Sequence, residues 1–407
     1  MAGVLRNRGF RRLVAGQIVS SFAAAALYLA LGIWAKDLTN SNALAGCVFL
    51  ALGVPSLLAP LAGHVVDRLP RRTLLVATNA AIGVAELALL GVHGPAQLWI
   101  IYAVAAMIGA ANTVLGSSRT ALLRDLLADD ELGSANAVLQ TTSQGLRLIS
   151  PLAGAGLYTA IGGHGVTVVN SGLFAVAAVL LALVRVTESK PMARAARFRD
   201  DLLAGIRHVR SVPLLVQLTV TGGIACGVVG LLETVAFAVI DQGLHRPPSF
   251  YGVLEAVQGA GAVLGGITAA RLLRRLGEAR TVGVGLIAIG VGVAAMVPPS
   301  VGLVLFGMAL LGAGVPWFVV GWSTGLQRHT PARLQGRVNA IATMTLSVPQ
   351  TVSVGLGASL IAVVDYRVLL MVIGVGMFVA AAAPLLRPAS TTSSKPQVND
   401  LARETVG

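Results

Sequence analysis

The chain has 407 residues, of which 55% are hydrophobic and only 12% are charged, and its mean hydropathy is +0.80. Because so few polar residues cannot cover the surface of a soluble globule, this composition excludes a soluble domain and predicts an integral membrane protein. The formal charge of +13 does not by itself indicate a nucleic-acid partner, since the positions of the basic residues along the chain decide its meaning.

Six apolar runs fill the first 184 residues. The first lies between Arg12 and Lys36, and its 23 uncharged residues would form about 35 Å of helix. That length crosses the roughly 30 Å of hydrocarbon in a bilayer, and it is too long for a cleaved signal peptide. The next five spans are predicted at 38–66, in two parts of 73–118 divided by His93-Gly94-Pro95, and in two parts of 132–184 divided by Gly162-Gly163-His164-Gly165.

The second half of the chain repeats the first in one register. Adding 203 to a residue number pairs Gly63 with Gly266 and Arg71 with Arg274. The same offset, with no gap in the alignment of the two halves, also pairs identical residues, namely Pro95 with Pro298, Gly133 with Gly336, Asn136 with Asn339, Ser150 with Ser353, and Gly154 with Gly357. Such agreement is hard to obtain by chance and predicts a duplicated chain. Spans seven to twelve are predicted at 213–240, at 250–270, in two parts of 281–327 folded at Pro298-Pro299, at 338–364 and at 368–386.

The basic residues are unequally distributed over the predicted loops. Of the 30 Lys and Arg, 26 lie at the termini or in the even-numbered loops, and only three lie in the odd-numbered loops. By the positive-inside rule, both termini are cytoplasmic in a bacterial inner (plasma) membrane. The predicted fold is an all-α integral membrane protein with twelve transmembrane helices in two pseudo-symmetric six-helix bundles. The bundles are expected at 1–184 and 213–387, a cytoplasmic linker at 185–212, and a disordered cytoplasmic tail at 388–407.

Part of the linker has apolar residues at helical spacing, from residue 200 to residue 209. This pattern suits an amphipathic helix on the membrane surface. A solvated connection between the two halves is an equally good interpretation.

A short charged turn separates spans two and three. It contains one acid and three arginines in the sequence Gly63-His64-Val65-Val66-Asp67-Arg68-Leu69-Pro70-Arg71-Arg72. The pattern Gly-x-x-x-Asp-Arg-x-x-Arg-Arg resembles the signature loop of the major facilitator superfamily, and with the repeat this resemblance covers nearly the whole chain. It implies two bundles that open their shared interface to each side of the membrane in turn, with spans one, four, seven and ten lining the cavity.

Asp67 lies at the end of span two, where its carboxylate can accept hydrogen bonds from Arg71 or from the first N–H groups of a nearby helix. Such a contact exists only while the cytoplasmic side is shut. We therefore expect a latch that favours the outward-open state, formed by Gly63, Asp67, Arg68, Arg71 and Arg72. The alternative is that these arginines only fix the topology and contact anionic lipid.

Arg147 is the one basic residue inside a predicted span. Its insertion costs about 2.5 to 3.5 kcal/mol at mid-membrane, so we expect it to face the protein interior and to have a partner. The segment from Arg147 to Gly156 is similar to the fifth-span motif of exporters in this superfamily, in the form seen in relatives of the enterobactin and macrolide exporters. The motif positions are Ser150, Pro151 and Gly154. Many members of the family have Gly where this chain has Ser150. A simple packing kink is the alternative.

Three carboxylates lie inside predicted spans and could pair with Arg147 or carry protons. Glu233 is the expected coupling site, because span seven lines the cavity in the resembled family and a carboxylate kept from water can load and release a proton. Glu86 lies on an outlying span, which suits a structural hydrogen bond. Glu255 is close to the outer end of its span, where wetting by water is the alternative.

Polar and aromatic side chains on the cavity-lining spans are the candidates for substrate binding. Aromatic faces and amides in an otherwise apolar cavity suit a small amphipathic or aromatic substrate. For Trp322 a position at the membrane interface is the alternative. The candidates are Gln17, Ser21, Tyr28, Asn112, Gln140, Gln144, Trp317 and Trp322.

No motif in the sequence indicates catalysis, a metal or a cofactor. Cys47 and Cys226 both lie in apolar runs, and the six histidines lack metal-binding spacing. The glycine-rich stretch 259–266 has no strand before it, which favours close helix packing over a nucleotide loop. We therefore expect no enzyme activity, no metal, no cofactor and no use of ATP.

These patterns predict a secondary active transporter that works by alternating access, namely a proton-coupled antiporter for efflux of drugs, antibiotics or siderophore-like metabolites. The alternative is a proton-linked importer of a small nutrient, since the signature loop occurs in both directions of transport. A membrane enzyme or a non-transporting receptor would instead show an activity without translocation. The expected partners are the substrate, protons and membrane lipid, without nucleic acid, and the chain is expected to be a monomer that confers multidrug resistance.

Overall fold

The computed structural model describes residues 6–58, 69–186, 198–331 and 334–386, and within these ranges it is helical without a strand. The prediction of an all-α fold is confirmed. Eight helices of the described residues are long and apolar enough to cross a membrane. The count of twelve spans and the boundaries of halves, linker and tail stay predictions, and the tail 388–407 lies outside the described residues.

In the first half, a capping side chain marks the start of one helix and a glycine marks a break in another. The Asn7 side chain caps α1 by accepting hydrogen bonds from the N–H groups of Gly9 and Phe10, at 2.8 and 3.2 Å. The helix Asp129–Ala182 is broken at Gly162, whose φ of 67° and ψ of 178° strain any other residue, and this break lies at the predicted turn. The helices are α1 (Arg8–Thr39), α2 (Asn42–Gly53), α3 (Arg71–Glu86), α4 (Leu98–Leu126), and within Asp129–Ala182 α5 (129–161) and α6 (163–182).

The second half follows a short linker helix. Gly277, with φ of 76°, breaks the helix Tyr251–Ala294 between the predicted eighth and ninth spans, whereas Gly162 lies between the fifth and sixth. The helices are α7 (Phe198–Ser211), α8 (Pro213–Ala238), within Tyr251–Ala294 α9 (251–276) and α10 (278–294), α11 (Val301–Arg328), α12 (Gln335–Leu360) and α13 (Tyr366–Leu386).

Helix α4 is longer than its charge-free stretch suggests. The charge-free stretch ends at Ser118, whereas the helix continues to Leu126. Arg119, which the sequence places in the loop after span four, therefore lies inside the helix.

The linker helix α7 packs against the second half. A Cβ atom at Gly205 would lie 3.1 Å from the carbonyl oxygen of Arg337, and His208 Nε2 is 3.0 Å from the carbonyl oxygen of His329. Leu203 and Arg207 are exposed on another side of the helix. The helix thus packs on one side against the second half, and its place on the membrane surface stays a prediction.

Each half has its own hydrophobic core. The core of the first half contains only residues between Phe10 and Val184. The core of the second half also takes in five residues of the first half, namely Leu29, Ile33, Ala45, Phe49 and Ala155. All five lie towards the end of the molecule at which α1 ends, here named the far end. The opposite end, at which α1 begins, is named the basic end for its arginine-rich turns.

The duplication is visible in how the helices cross. A Cβ atom at Gly154 would lie 2.3 Å from the carbonyl oxygen of Ala26, where α5 crosses α1. At the repeat position, a Cβ atom at Gly357 would lie 3.2 Å from Cα of Leu231, where α12 crosses α8. Glycine at both positions lets the paired helices approach closely.

Candidate functional site

A cavity of about 250 Å³ lies between the two halves. Tyr28 and Asn112, both predicted to bind substrate, line it together with Glu233, the predicted coupling residue. Helix α12 adds polar residues that were not among the predicted substrate contacts. Their spacing of three and four residues places them on one side of an apolar helix, and this pattern could have indicated them. These residues are Ser347, Gln350 and Thr351.

Glu233 lies at the boundary between the halves. Tyr28 of the first half donates a hydrogen bond from Oη to Glu233 Oε2 over 3.2 Å, and Tyr251 of the second half donates to the same oxygen over 3.4 Å. One carboxylate oxygen thus joins α1, α8 and α9. A change in the charge of Glu233 would act on both halves at once.

Four aromatic rings, here named the aromatic plug, pack on the far-end side of Glu233. The ring of Phe49 is 4.8 Å from Tyr28 and 5.9 Å from Phe237, measured between centroids. The rings of Phe237 and Tyr251 stack at 5.0 Å. The aromatic plug joins α1 and α2 of the first half to α8 and α9 of the second, and it closes the cavity towards the far end.

An ion pair joins the two halves beyond the aromatic plug. Lys36 Nζ lies 2.7 Å from Asp241 Oδ2, with the Lys36 side chain 4% exposed and the Asp241 side chain 47% exposed. Gly46 comes so close to Thr234 that a Cβ atom there would lie 2.5 Å from its side chain. In the sequence Lys36 is a residue of an odd-numbered loop, and no local pattern indicates its partner, which lies 205 residues away.

Two of the polar contacts between the halves have a defined place along the molecule. They are the hydrogen bond of Tyr28 with Glu233 and the ion pair of Lys36 with Asp241. Both lie towards the far end, so the structure is closed there. Towards the basic end, a second cavity of about 390 Å³ follows α4 and is lined by Gly116, Ser117, Thr120 and Ala121.

The expected latch is only partly within the described residues, since Gly63, Asp67 and Arg68 lie outside them. Arg71 Nη1 donates to Asp125 Oδ2 at the end of α4. Arg72 Nη2 donates to the carbonyl oxygen of Ala182 at the end of α6. These contacts hold the start of α3 to its own half, and the role of the loop as a latch stays a prediction.

The other two candidate carboxylates occupy different surroundings. Glu86 on α3 is fully buried, and both of its carboxylate oxygens are 3.2 Å from Asn170 Nδ2 on α6. It does not line the cavity between the halves. Glu255 is partly buried and follows Tyr251 by one turn of α9.

Several predicted substrate contacts lie apart from the cavity. Gln17 Nε2 donates to Ser21 Oγ over 2.7 Å along α1. Trp317 Nε1 donates to Thr268 Oγ1 over 2.8 Å. Trp322 is 9% exposed and belongs to the core of the second half, with its ring 6.5 Å from that of Phe318.

The remaining candidates lie on α5. The side chains of Gln140, Gln144, Arg147 and Pro151 fall outside what the structure describes. Ser150 is fully buried, and its Oγ has no hydrogen-bond partner among the described residues; Ser353, its repeat partner, is 2% exposed and shares this property. The two halves therefore bury the same hydroxyl at equivalent positions.

Comparisons with known proteins agree with this architecture. The family described as Major Facilitator Superfamily matches residues 13–245 and 218–404. An uncharacterised MFS-type transporter, YfiS of Bacillus subtilis strain 168, is 22% identical over 347 residues, which is 82% of each chain. Among solved structures, a mutant of the nucleoside transporter NupG has a TM-score of 0.77 at 12% identity, covering 93% of this chain and 99% of its own. A bacterial homologue of the iron transporter ferroportin, in its inward-facing state, has a TM-score of 0.75 at 16% identity and covers 94% and 99%.

Proposed function

Because this chain belongs to the major facilitator superfamily and is a multi-pass membrane transporter and not an enzyme, we propose that it is a secondary active transporter that moves a small substrate by alternating access. The observation that carries the proposal is the cavity between the halves, closed at the far end by non-covalent contacts alone. Rocking of one half against the other would break these contacts and open the cavity to the other side.

The charge distribution supports a direction for this cycle. By the positive-inside rule, the basic end and both termini face the cytoplasm of a bacterial inner membrane. The conformation closed at the far end is then inward-facing, with anionic lipid around its basic end and a monomer as the working unit.

The hydrogen bonds that Glu233 accepts support a proposal that transport is coupled to protons. While ionised, it accepts two hydroxyl hydrogen bonds, and bonds to a charged acceptor contribute about 1.5–3 kcal/mol against about 0.5–1.5 kcal/mol for neutral pairs. Protonation would therefore weaken the contact between Glu233 and Tyr28 and favour opening of the far end. Release of the proton from Glu233 to the cytoplasm would in this way be linked to the conformation that is closed at the far end.

Efflux is the proposed direction, with drugs, antibiotics or siderophore-like metabolites as substrates. The likeness of the segment around Ser150 and Gly154 to the enterobactin and macrolide exporters supports it. A proton-linked importer of a small nutrient is the alternative, and the same transport experiment separates the two.

The test uses a pump-deleted bacterial host that expresses the chain and a panel of antibiotics and dyes. Uphill efflux of a panel member that an uncoupler abolishes supports the exporter, whereas uptake supports the importer. Glu233→Gln is expected to abolish uphill movement while exchange down the gradient remains. Glu86→Gln, an equally small change at a buried site off the cavity, is the matched control and should keep uphill movement. Wild-type uphill efflux by Glu233→Gln would refute the coupling role.

A further inference from the structure

Among the described residues that line the cavity between the halves, Glu233 alone carries a charge, and none is a lysine, an arginine or a histidine. Glu233 is partly exposed, whereas the residues that follow it, from Thr234 to Ile240, are buried. Because Glu233 lines the cavity, its exposed surface faces into it. The carboxylate therefore gives this cavity a negative charge.

Two aromatic rings of the first half line the same cavity beside Glu233. The rings of Tyr28 and Phe49 lie 4.8 Å apart between centroids, at an interplanar angle of 34°. Tyr28 Oη is 3.2 Å from Glu233 Oε2, so the rings and the carboxylate are neighbours. The face of an aromatic ring is electron-rich and attracts a cation that lies within about 6 Å of the ring centroid. The rings and the carboxylate thus favour the same sign of charge in a ligand.

The next charged residues on α1 and α9 do not cancel this preference. Lys36 lies eight residues after Tyr28 along α1, about 12 Å away, and it pairs with Asp241 beyond the aromatic plug. Glu255 follows Tyr251 by one turn of α9, which places a second carboxylate on the same side of that helix. A carboxylate inside a protein also attracts a cation several-fold more strongly than it does in water, because the effective dielectric constant is lower.

We propose that the transported substrate is a small organic cation whose ammonium group binds Glu233 and the faces of Tyr28 and Phe49. An ammonium group donates charge-assisted hydrogen bonds to a carboxylate and also makes cation–π contacts. The cavity of about 250 Å³ has room for an apolar or aromatic body, beside the amide groups of Asn112 and Gln350. This inference rests on the proposed transport function and narrows its substrate class.

Three probes that share one ring system test the charge preference. They are 2-naphthylmethylamine, 2-naphthylmethanol and 2-naphthoate, which at neutral pH are cationic, neutral and anionic. Affinities are measured on the full chain in phosphatidylcholine nanodiscs without any gradient, and binding to empty nanodiscs is subtracted. Wild type is expected to bind the amine about tenfold more tightly than the alcohol, which is the difference between a charge-assisted and a neutral hydrogen bond. The anionic probe should bind more weakly than the alcohol.

Two variants assign this preference to the carboxylate and to the rings. Glu233→Gln should remove the preference for the amine and leave the affinity for the alcohol nearly unchanged. Phe49→Leu keeps an apolar side chain without a ring, and it should lower the preference about threefold, the contribution of one cation–π contact. Because the readout is a ratio of two affinities of the same protein, a general loss of packing would affect both probes alike.

Matched controls remove the same groups away from the cavity. Glu86→Gln removes the carboxyl group of a buried residue on α3 that does not line the cavity. Phe318→Leu removes a ring that packs beside Trp322 in the core of the second half. Both variants should keep the wild-type preference for the amine.

Several results would overturn the inference. Two of them are equal affinity for the amine and the alcohol, and a preference for the amine that survives Glu233→Gln. A preference for 2-naphthoate would show that a positive charge dominates the cavity, with Arg147 on α5 as the first candidate, and would refute a cationic substrate. If the chain moves neutral or anionic compounds uphill but shows no preference for the amine, this inference fails alone. If it prefers the amine but moves nothing uphill, the proposed function fails alone.

Discussion

Lys36 shows how one side chain can hold a transporter in one conformation. Its ammonium group is almost completely buried, and its described partners are Asp241 and, at 3.3 Å, the carbonyl oxygen of Asn40. Removing one partner of a buried pair leaves an uncompensated charge, which costs more than the pair itself contributes. When the far end opens, both groups can return to water. The pair therefore favours the conformation closed at the far end.

We predict that Asp241→Asn destabilises the closed far end by about 1 kcal/mol, a factor of about five, because Lys36 loses its counter-charge while Asp241 is half-exposed already. The reporter is Thr234→Cys, a buried position at the closed end, labelled with a membrane-impermeant maleimide after Cys47 and Cys226 have been replaced. Labelling should become several-fold faster.

The control for this change is Glu278→Gln, which breaks an ion pair with Arg328 inside the second half. That pair does not link the two halves, so the labelling rate of Thr234→Cys should stay at the wild-type value. Equal labelling of the Asp241→Asn and wild-type proteins would show that the Lys36 pair does not hold the far end.

At the scale of helices, the crossing of α5 over α1 depends on the absence of a side chain at Gly154. We predict that Gly154→Ala destabilises the folded protein by about 1–3 kcal/mol, since the added methyl group would press on the carbonyl oxygen of Ala26 and force the helices apart. Thermal unfolding in detergent measures the effect. Gly156→Ala is the control on the same helix, because nothing lies within 4 Å of its Cβ position, and it should not lower the unfolding temperature. Equal unfolding temperatures for both variants would contradict this account of the crossing.

The helices could be predicted from local sequence patterns far better than the residues of the candidate site. Apolar runs, the 203-residue repeat and the glycine turn at Gly162 are properties of neighbouring residues, and they predicted the all-α fold. Arg119 is the first charge after an apolar run, yet it lies inside a helix, because α4 continues beyond that run to Leu126. The pairing of Lys36 with Asp241 and the α12 side of the cavity depend on how two distant halves meet, which no local pattern contains.

At the scale of the whole molecule, the fold consists of two cores that share one seam. Within the described residues, the first core belongs to the first half, and the second core includes five first-half residues that lie towards the far end. This arrangement leaves each half free to move as a unit, provided that the seam opens and closes in each cycle. Linking the halves at the seam should therefore stop transport without unfolding the protein.

A disulfide can make that link where Gly53 meets Thr351. A Cβ atom at Gly53 would lie 4.0 Å from Cβ of Thr351, within the range of about 3.5–4.5 Å that a disulfide requires. Gly325 and Glu278 provide a control pair within the second half, with a corresponding distance of 3.5 Å. Both cysteine pairs are introduced in a background that lacks the two native cysteines.

The decisive measurement is uphill transport by the Gly53→Cys, Thr351→Cys protein before and after oxidation, with a compound identified in the efflux screen. We predict that oxidation abolishes transport, that a reductant restores it, and that the Gly325→Cys, Glu278→Cys protein transports in both states. If the oxidised protein with the cross-linked seam still transports at the rate of its reduced form, the halves do not move against each other and alternating access at this seam is refuted.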